Sequence, residues 1–286
     1  MSNKSTIIVM PVKRFKRVLS SLITAALMVA NLNMVVASAE DEQKGMLKLT
    51  AGVDYSSGDY GQTDDTQMLY LPFTLKYESL PWGLQLTVPW LSIAGSGTVV
   101  GGIDGGIVIG GHGAIGGHGK RQRQTTESGL GDVVAGVSFA LDTLWGFGPL
   151  VDLTAKTKFA TADETRGLGT GENDYSLQVD IANSYGRFTP FGTLGYKFMG
   201  DPPDFDLNDV LFASAGVDYW FHPALSGGVS FDFRESSSLA STDAEELLTY
   251  LNWKFTDRWS VNGYGVLGLS DGSPDSAIGV QLTYYQ

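Results

Sequence analysis

The sequence contains no cysteine. That excludes a disulfide framework and any thiolate metal site. Histidine is nearly absent too: His112 and His118 stand close together without an evident third ligand, and His222 lies far away beside a proline. Basic residues are outnumbered, 19 Lys and Arg against 31 Asp and Glu, for a formal net charge of −12. Such a balance argues against nucleic acid and against docking on anionic lipid through a basic surface. Beyond residue 39 there is no run of about 18 apolar residues, which excludes a transmembrane helix there. Helical periodicity is almost missing from the same region.

What is present begins with a targeting segment. Lys13, Arg14, Lys16 and Arg17 precede an apolar stretch from Val18 to Val36, and Ala37-Ser38-Ala39 supplies small residues for a cleavage site. Residues 1–39 are expected to be a cleaved secretory signal peptide of bacterial type, leaving 40–286 as the mature chain. The segment takes five basic and no acidic residues with it, moving the formal net charge from −12 to −17.

The mature part reads as about twelve strands. Leu150–Thr161 shows the pattern: Val151, Leu153, Ala155, Thr157 and Phe159 alternate with Asp152, Thr154, Lys156 and Lys158. Successive strand residues face opposite sides, so one face is free of charge and the other carries three charges. The other strands are expected at Met46–Ser56, Thr66–Tyr77, Trp82–Ile93, Leu130–Leu141, Asp174–Tyr185, Phe188–Phe198, Val210–Phe221, Leu225–Arg234, Leu247–Phe255, Trp259–Leu269 and Ser276–Tyr285. Every charged strand residue falls on the non-apolar parity. In the first half these are Lys48, Asp54, Lys76, Asp132, Asp152, Lys156 and Lys158. In the second half they are Asp180, Lys197, Asp218, Asp232, Arg234 and Lys254.

Connections alternate short and long, as in an outer-membrane barrel with short periplasmic turns, longer outer loops and an even strand number. A strand of about 10–12 residues tilted by about 40° spans an apolar band roughly 25 Å tall. Aromatics gather beside the short turns, where a membrane-interface girdle would sit: Tyr77, Trp82, Tyr185, Phe188, Phe221, Phe255, Trp259 and Tyr284. The expected fold is all-β, a transmembrane antiparallel up-and-down barrel of about twelve strands in the outer membrane of a Gram-negative bacterium. The charged parity would line its lumen. Alternation alone leaves open a soluble barrel with the apolar face inward. Long strands, aromatics at strand ends, and Gly, Ser, Thr, Asn and Gln on the charged face favour the membrane arrangement.

Residues 94–128 break the pattern with a glycine-dense tract followed by Lys120-Arg121-Gln122-Arg123, expected to be a long outer loop or a constriction folded into the lumen. Gly111-x-Gly113-x-x-Gly116 matches the dinucleotide fingerprint by spacing but has no βαβ unit around it. Gly119-Lys120 lacks the leading glycine and the following Ser or Thr of a phosphate loop. Asp204, Asp206, Asn208 and Asp209 open like a calcium loop without its turn glycine or final Glu. No cofactor, resident metal or catalytic group is expected, and the chain does not read as an enzyme. Expected partners are outer-membrane lipid and lipopolysaccharide, the outer-membrane assembly machinery and a small-molecule solute.

Gly129-Leu130-Gly131-Asp132, Lys156-x-Lys158-Phe159-x-Thr161-x-Asp163, Leu168-Gly169-Thr170-Gly171-x-x-Asp174 and Gly195-Tyr196 together resemble the core of the MetA-pathway of phenol degradation family of outer-membrane barrels. The chain departs from that pattern at Ala160, where members commonly carry Pro, and at Gln286, which follows the aromatic residue that usually ends a barrel. The resemblance implies an outer-membrane channel, for small solutes that include hydrophobic or aromatic compounds. A barrel that transports nothing and serves adhesion or envelope integrity, and a soluble exported β-protein, are the alternatives.

Overall fold

The computed structural model describes residues 45–60, 65–95, 98–100, 107–109, 125–144, 148–202, 207–238 and 241–286. The expected signal peptide and most of the glycine-dense tract, including His112 and His118, lie outside these residues.

Twelve antiparallel strands close on themselves: β1 (Met46–Gly58), β2 (Thr66–Ser79), β3 (Trp82–Gly95), β4 (Thr125–Leu130 and Val133–Ala140), β5 (Leu150–Phe159), β6 (Asp174–Ala182), β7 (Phe188–Phe198), β8 (Val210–His222), β9 (Leu225–Arg234), β10 (Ala244–Thr256), β11 (Trp259–Gly268) and β12 (Ser276–Tyr285). Each pairs with its sequence neighbours, and β1 completes the ring with β12 from Lys48↔Tyr285 to Ser57↔Ser276. Leu47 and Gln286 extend that seam with two further backbone bonds, so Gln286 is held by the ladder. Closure leaves no strand edge exposed, which is what backbone amides need in hydrocarbon.

β12 shows which face is which. Ile278, Val280 and Leu282 are 64%, 51% and 40% exposed, while Gln281 and Thr283 between them are 6% exposed. Lys48, Lys158 and Lys197 are likewise buried, and Leu49, Phe159 and Phe198 beside them are exposed. The apolar parity faces outward and the polar parity inward, the reverse of a soluble barrel. The aromatics expected beside the short turns all sit on this outer face. They make edge contacts that enlarge the girdle, Trp82 with Phe139 at 4.8 Å and Phe188 with Tyr219 at 4.8 Å. A second set near the long loops, Phe159, Tyr175, Tyr196 and Phe198, was not anticipated.

Several boundaries differ from the sequence reading. Ala94 and Gly95 continue β3, and Thr125–Leu130 pairs with Trp90–Gly95, so the glycine-dense tract is shorter at both ends than 94–128. Thr98–Val100 and Ile107–Ile109 form a small hairpin within it. β2 and β10 also run further, adding Glu78 and Ala244–Glu246. In each case backbone pairing carries polar residues into the ladder that local composition assigns to loops.

Candidate functional site: the barrel lumen

The lumen holds a cavity of about 450 Å³, lined by residues of all twelve strands. Among the described residues its charged lining is Asp54, Lys76, Asp152, Lys156, Asp180, Asp232, Arg234 and Glu246. Five acids face three bases, so the wall is net acidic. Glu246 was missed because strand ten was expected to begin at Leu247. Its parity matches Asn252 and Lys254, which is the signal that could have found it.

The remaining expected lumen residues face inward but are engaged elsewhere. Lys48 binds Glu78 at 2.6 Å, and Lys76 binds the other oxygen of the same carboxylate at 2.7 Å. Lys254 is exposed at the short-turn rim, its Nζ 5.9 Å from the centre of the Tyr285 ring. Asp218 is buried in the wall between Thr189 and Gly228. Asp132, Lys158 and Lys197 belong to a sealed cluster at the long-loop end. Lys158 Nζ lies 3.0 Å from Asp132 and 3.1 Å from Asp174, and Lys197 Nζ is 3.0 Å from the same Asp174 oxygen. Lys158 also donates to Thr170 Oγ1 at 3.1 Å. All four charged groups are buried, and two cations balance two anions.

This cluster seats the 160–173 connection inside the barrel mouth. Asp132 accepts from the Thr161 and Ala162 amides at 3.0 and 2.9 Å. Thr161 Oγ1 accepts from Val133 N and donates to Gly131 O, stapling the interruption in β4. Asp163 caps a short 3-10 turn at Glu164–Arg166; its carboxyl is held below the usual range by the Thr165 hydroxyl, then by the Thr165 amide and Arg166. The cap is therefore in place at neutral pH and is lost only as pH falls through that lowered value. Leu168, 1% exposed, then drops among Tyr60, Met68, Tyr70, Leu91 and Ile93, an apolar patch on the inner wall of β2 and β3. Gly169 passes so close that an added Cβ would lie 2.8 Å from an Asp132 oxygen. Among the described residues the inserted segment is 160–173; residues 96–97, 101–106 and 110–124 of the expected loop or constriction lie outside them.

Aromatic side chains on the inner face were not expected either. Tyr264 stands opposite Gly279 and Tyr250 opposite Gly228, and a Cβ on either glycine would strike the ring at 2.1 to 2.5 Å. Each ring therefore lies flat across the neighbouring strand instead of projecting into the bore. Tyr264 reaches over Gly279 to donate to Asp54 on the strand beyond at 2.7 Å. Phe212 over Gly195 repeats the arrangement. The lumen stays open because its largest side chains are laid against its wall.

Other candidates resolve simply. His222 Nδ1 accepts from the Ala224 amide at 3.3 Å in the β8–β9 turn. Asp209 accepts from Met199 N at 3.0 Å, and Asp204 and Asp206 lie outside the described residues. Among the described residues no three His, Asp or Glu come together as a metal site.

A closed ring of twelve antiparallel strands, apolar outside and polar around a central cavity, has the fold of an outer-membrane β-barrel. Solved structures agree. The chain is similar to the COG4313 outer membrane channel from Pseudomonas putida F1, with a TM-score of 0.63 at 12% identity over 87% of this chain and 100% of that one. It is also similar to the NanC porin, with a TM-score of 0.51 at 11% identity over 83% of this chain and 99% of that one. No family model matches the sequence, and no curated protein matches it.

Proposed function

We propose that this protein is a channel of the Gram-negative outer membrane for passive passage of small solutes, exported by the signal at residues 1–39. The single observation that carries this reading is the water-facing cavity enclosed by a ring whose outside is apolar. An adhesion barrel needs no such bore. Five acids against three bases on its wall favour cations over anions. Lipid and lipopolysaccharide would surround the barrel, and the outer-membrane assembly machinery would insert it.

Membership of the phenol-degradation family rests on the motif residues, which meet in one place: Asp132, Lys158, Thr161, Thr170 and Asp174 build the seat of the inserted connection. Hydrophobic or aromatic solutes, which the resemblance implies, would meet Tyr70, Tyr250 and Tyr264 on the cavity wall. Purified protein in planar bilayers tests the channel. Discrete conductance steps with cation preference are expected, and Lys156→Glu should strengthen that preference. A barrel silent both intact and after removal of residues 96–126 would falsify the reading.

A further inference from the structure

One stretch of the lumen is charged in a way that barrel stability does not explain. Asp232 on β9 stands directly opposite Glu246 on β10. Side chains so placed have Cβ atoms about 5 Å apart, and like charges there repel. Asp54, facing the same cavity from β1, adds to the field at Glu246. The compensating base would be Arg234, diagonal to Glu246 because its own opposite residue is Ala244. It does not close the pair. Arg234 faces the cavity within the field of Glu246, yet it makes no hydrogen bond or ion pair with any described residue. Five guanidinium donors and a repelling carboxylate pair, in which Asp232 accepts from Ser230 Oγ at 3.0 Å, face one cavity.

The sealed cluster of Asp132, Lys158, Asp174 and Lys197 shows the contrast. There every charge lies within 3.1 Å of its opposite and is excluded from the cavity. A metal ion is a poor fit beside Arg234, because no three acidic groups among the described residues converge on a point. An ammonium group suits a spread carboxylate pair better, and a carboxylate suits a forked guanidinium.

We infer that Arg234, Asp232 and Glu246 form a lumenal subsite for small zwitterions of the amino-acid type, the guanidinium receiving the solute's carboxylate and the acidic pair its ammonium. The inference rests on the channel reading and names the solute class that channel favours.

Solute flux into proteoliposomes tests it with four probes of similar size: L-alanine (zwitterion), lactamide (neutral), sodium lactate (anion) and ethanolammonium chloride (cation). Wild-type protein should pass L-alanine at low concentration on the order of tenfold faster than lactamide, and saturably. Arg234→Met, and separately Asp232→Asn with Glu246→Gln, should bring alanine down to the lactamide rate while lactamide flux is unchanged. Unaltered lactamide flux and heat-modifiable gel migration also show that each variant is folded. Equal rates for alanine and lactamide in the wild type overturn the inference and leave the channel standing. So does an advantage shared by ethanolammonium and insensitive to Arg234→Met, which would mark a cation site alone. Silence to all four probes overturns the channel reading and this inference with it.

Discussion

Asp174 ties together the long-loop end of the barrel. Its carboxylate meets Lys158 and Lys197 and accepts from the Gly200 amide at 3.1 Å. Asp174→Asn would leave two buried ammonium groups around one remaining carboxylate. The expected loss is about 3–5 kcal/mol, read from urea unfolding in detergent. Gly279 offers a sharper test of the wall. Gly279→Ala would drive a methyl into the Tyr264 ring, at a cost of about 1–3 kcal/mol. In a Tyr264→Ala background the same change should cost almost nothing, and equal costs in both backgrounds would refute the packing explanation. At this scale the sequence was partly legible. Charge parity placed Lys48, Lys156 and Arg234 inward, because one strand period separates the two faces. It could not distinguish Lys156 on the cavity wall from Lys158, two residues on and sealed, because the difference is made by Thr170 and Asp174 arriving from the next connection and strand.

Among the described elements, the 160–173 connection shapes the mouth of the bore. Its seat is polar on one side, at Asp132 and Lys158, and apolar on the other, at Leu91 and Ile93. Replacing residues 162–171 with a short flexible linker should raise single-channel conductance severalfold by removing Leu168 from the mouth. Conductance equal to wild type would show that the current bypasses this segment. Strand positions were readable because alternation over ten or more residues has few alternative explanations. The insertion was not. Leu168 is a lone apolar residue among glycines, and its partners Met68, Leu91 and Ile93 occupy the parity that elsewhere is polar. The motif around it was visible as a resemblance, but its physical purpose appears only when the loop and three strands are brought together.

The whole molecule is a ring whose two faces meet different media. A charge placed outward should therefore be expensive in proportion to its depth. Val280→Arg, at mid-strand on β12, is expected to cost about 2–4 kcal/mol and to slow assembly into lipid vesicles. An equal cost for the same change in a long outer loop would argue against a lipid-facing wall. Strand number, closure and the inside-out polarity all follow from repetition along the chain, which is why they were legible. The ends of β2, β3, β4 and β10 were not, because polar residues there are recruited by the neighbouring strand.

Leu168 and its connection press against one side of the ring, from the inner wall of β2 and β3 to Asp132 in β4 and Lys158 on β5. A stopper seated on one side of a pipe makes the passage eccentric. The cavity continues past it to Asp232, Arg234 and Glu246 on β9 and β10. A solute passing that segment meets those charges on the cavity wall. Sorting by charge then needs no ring of selective groups, only a bore narrowed from one side.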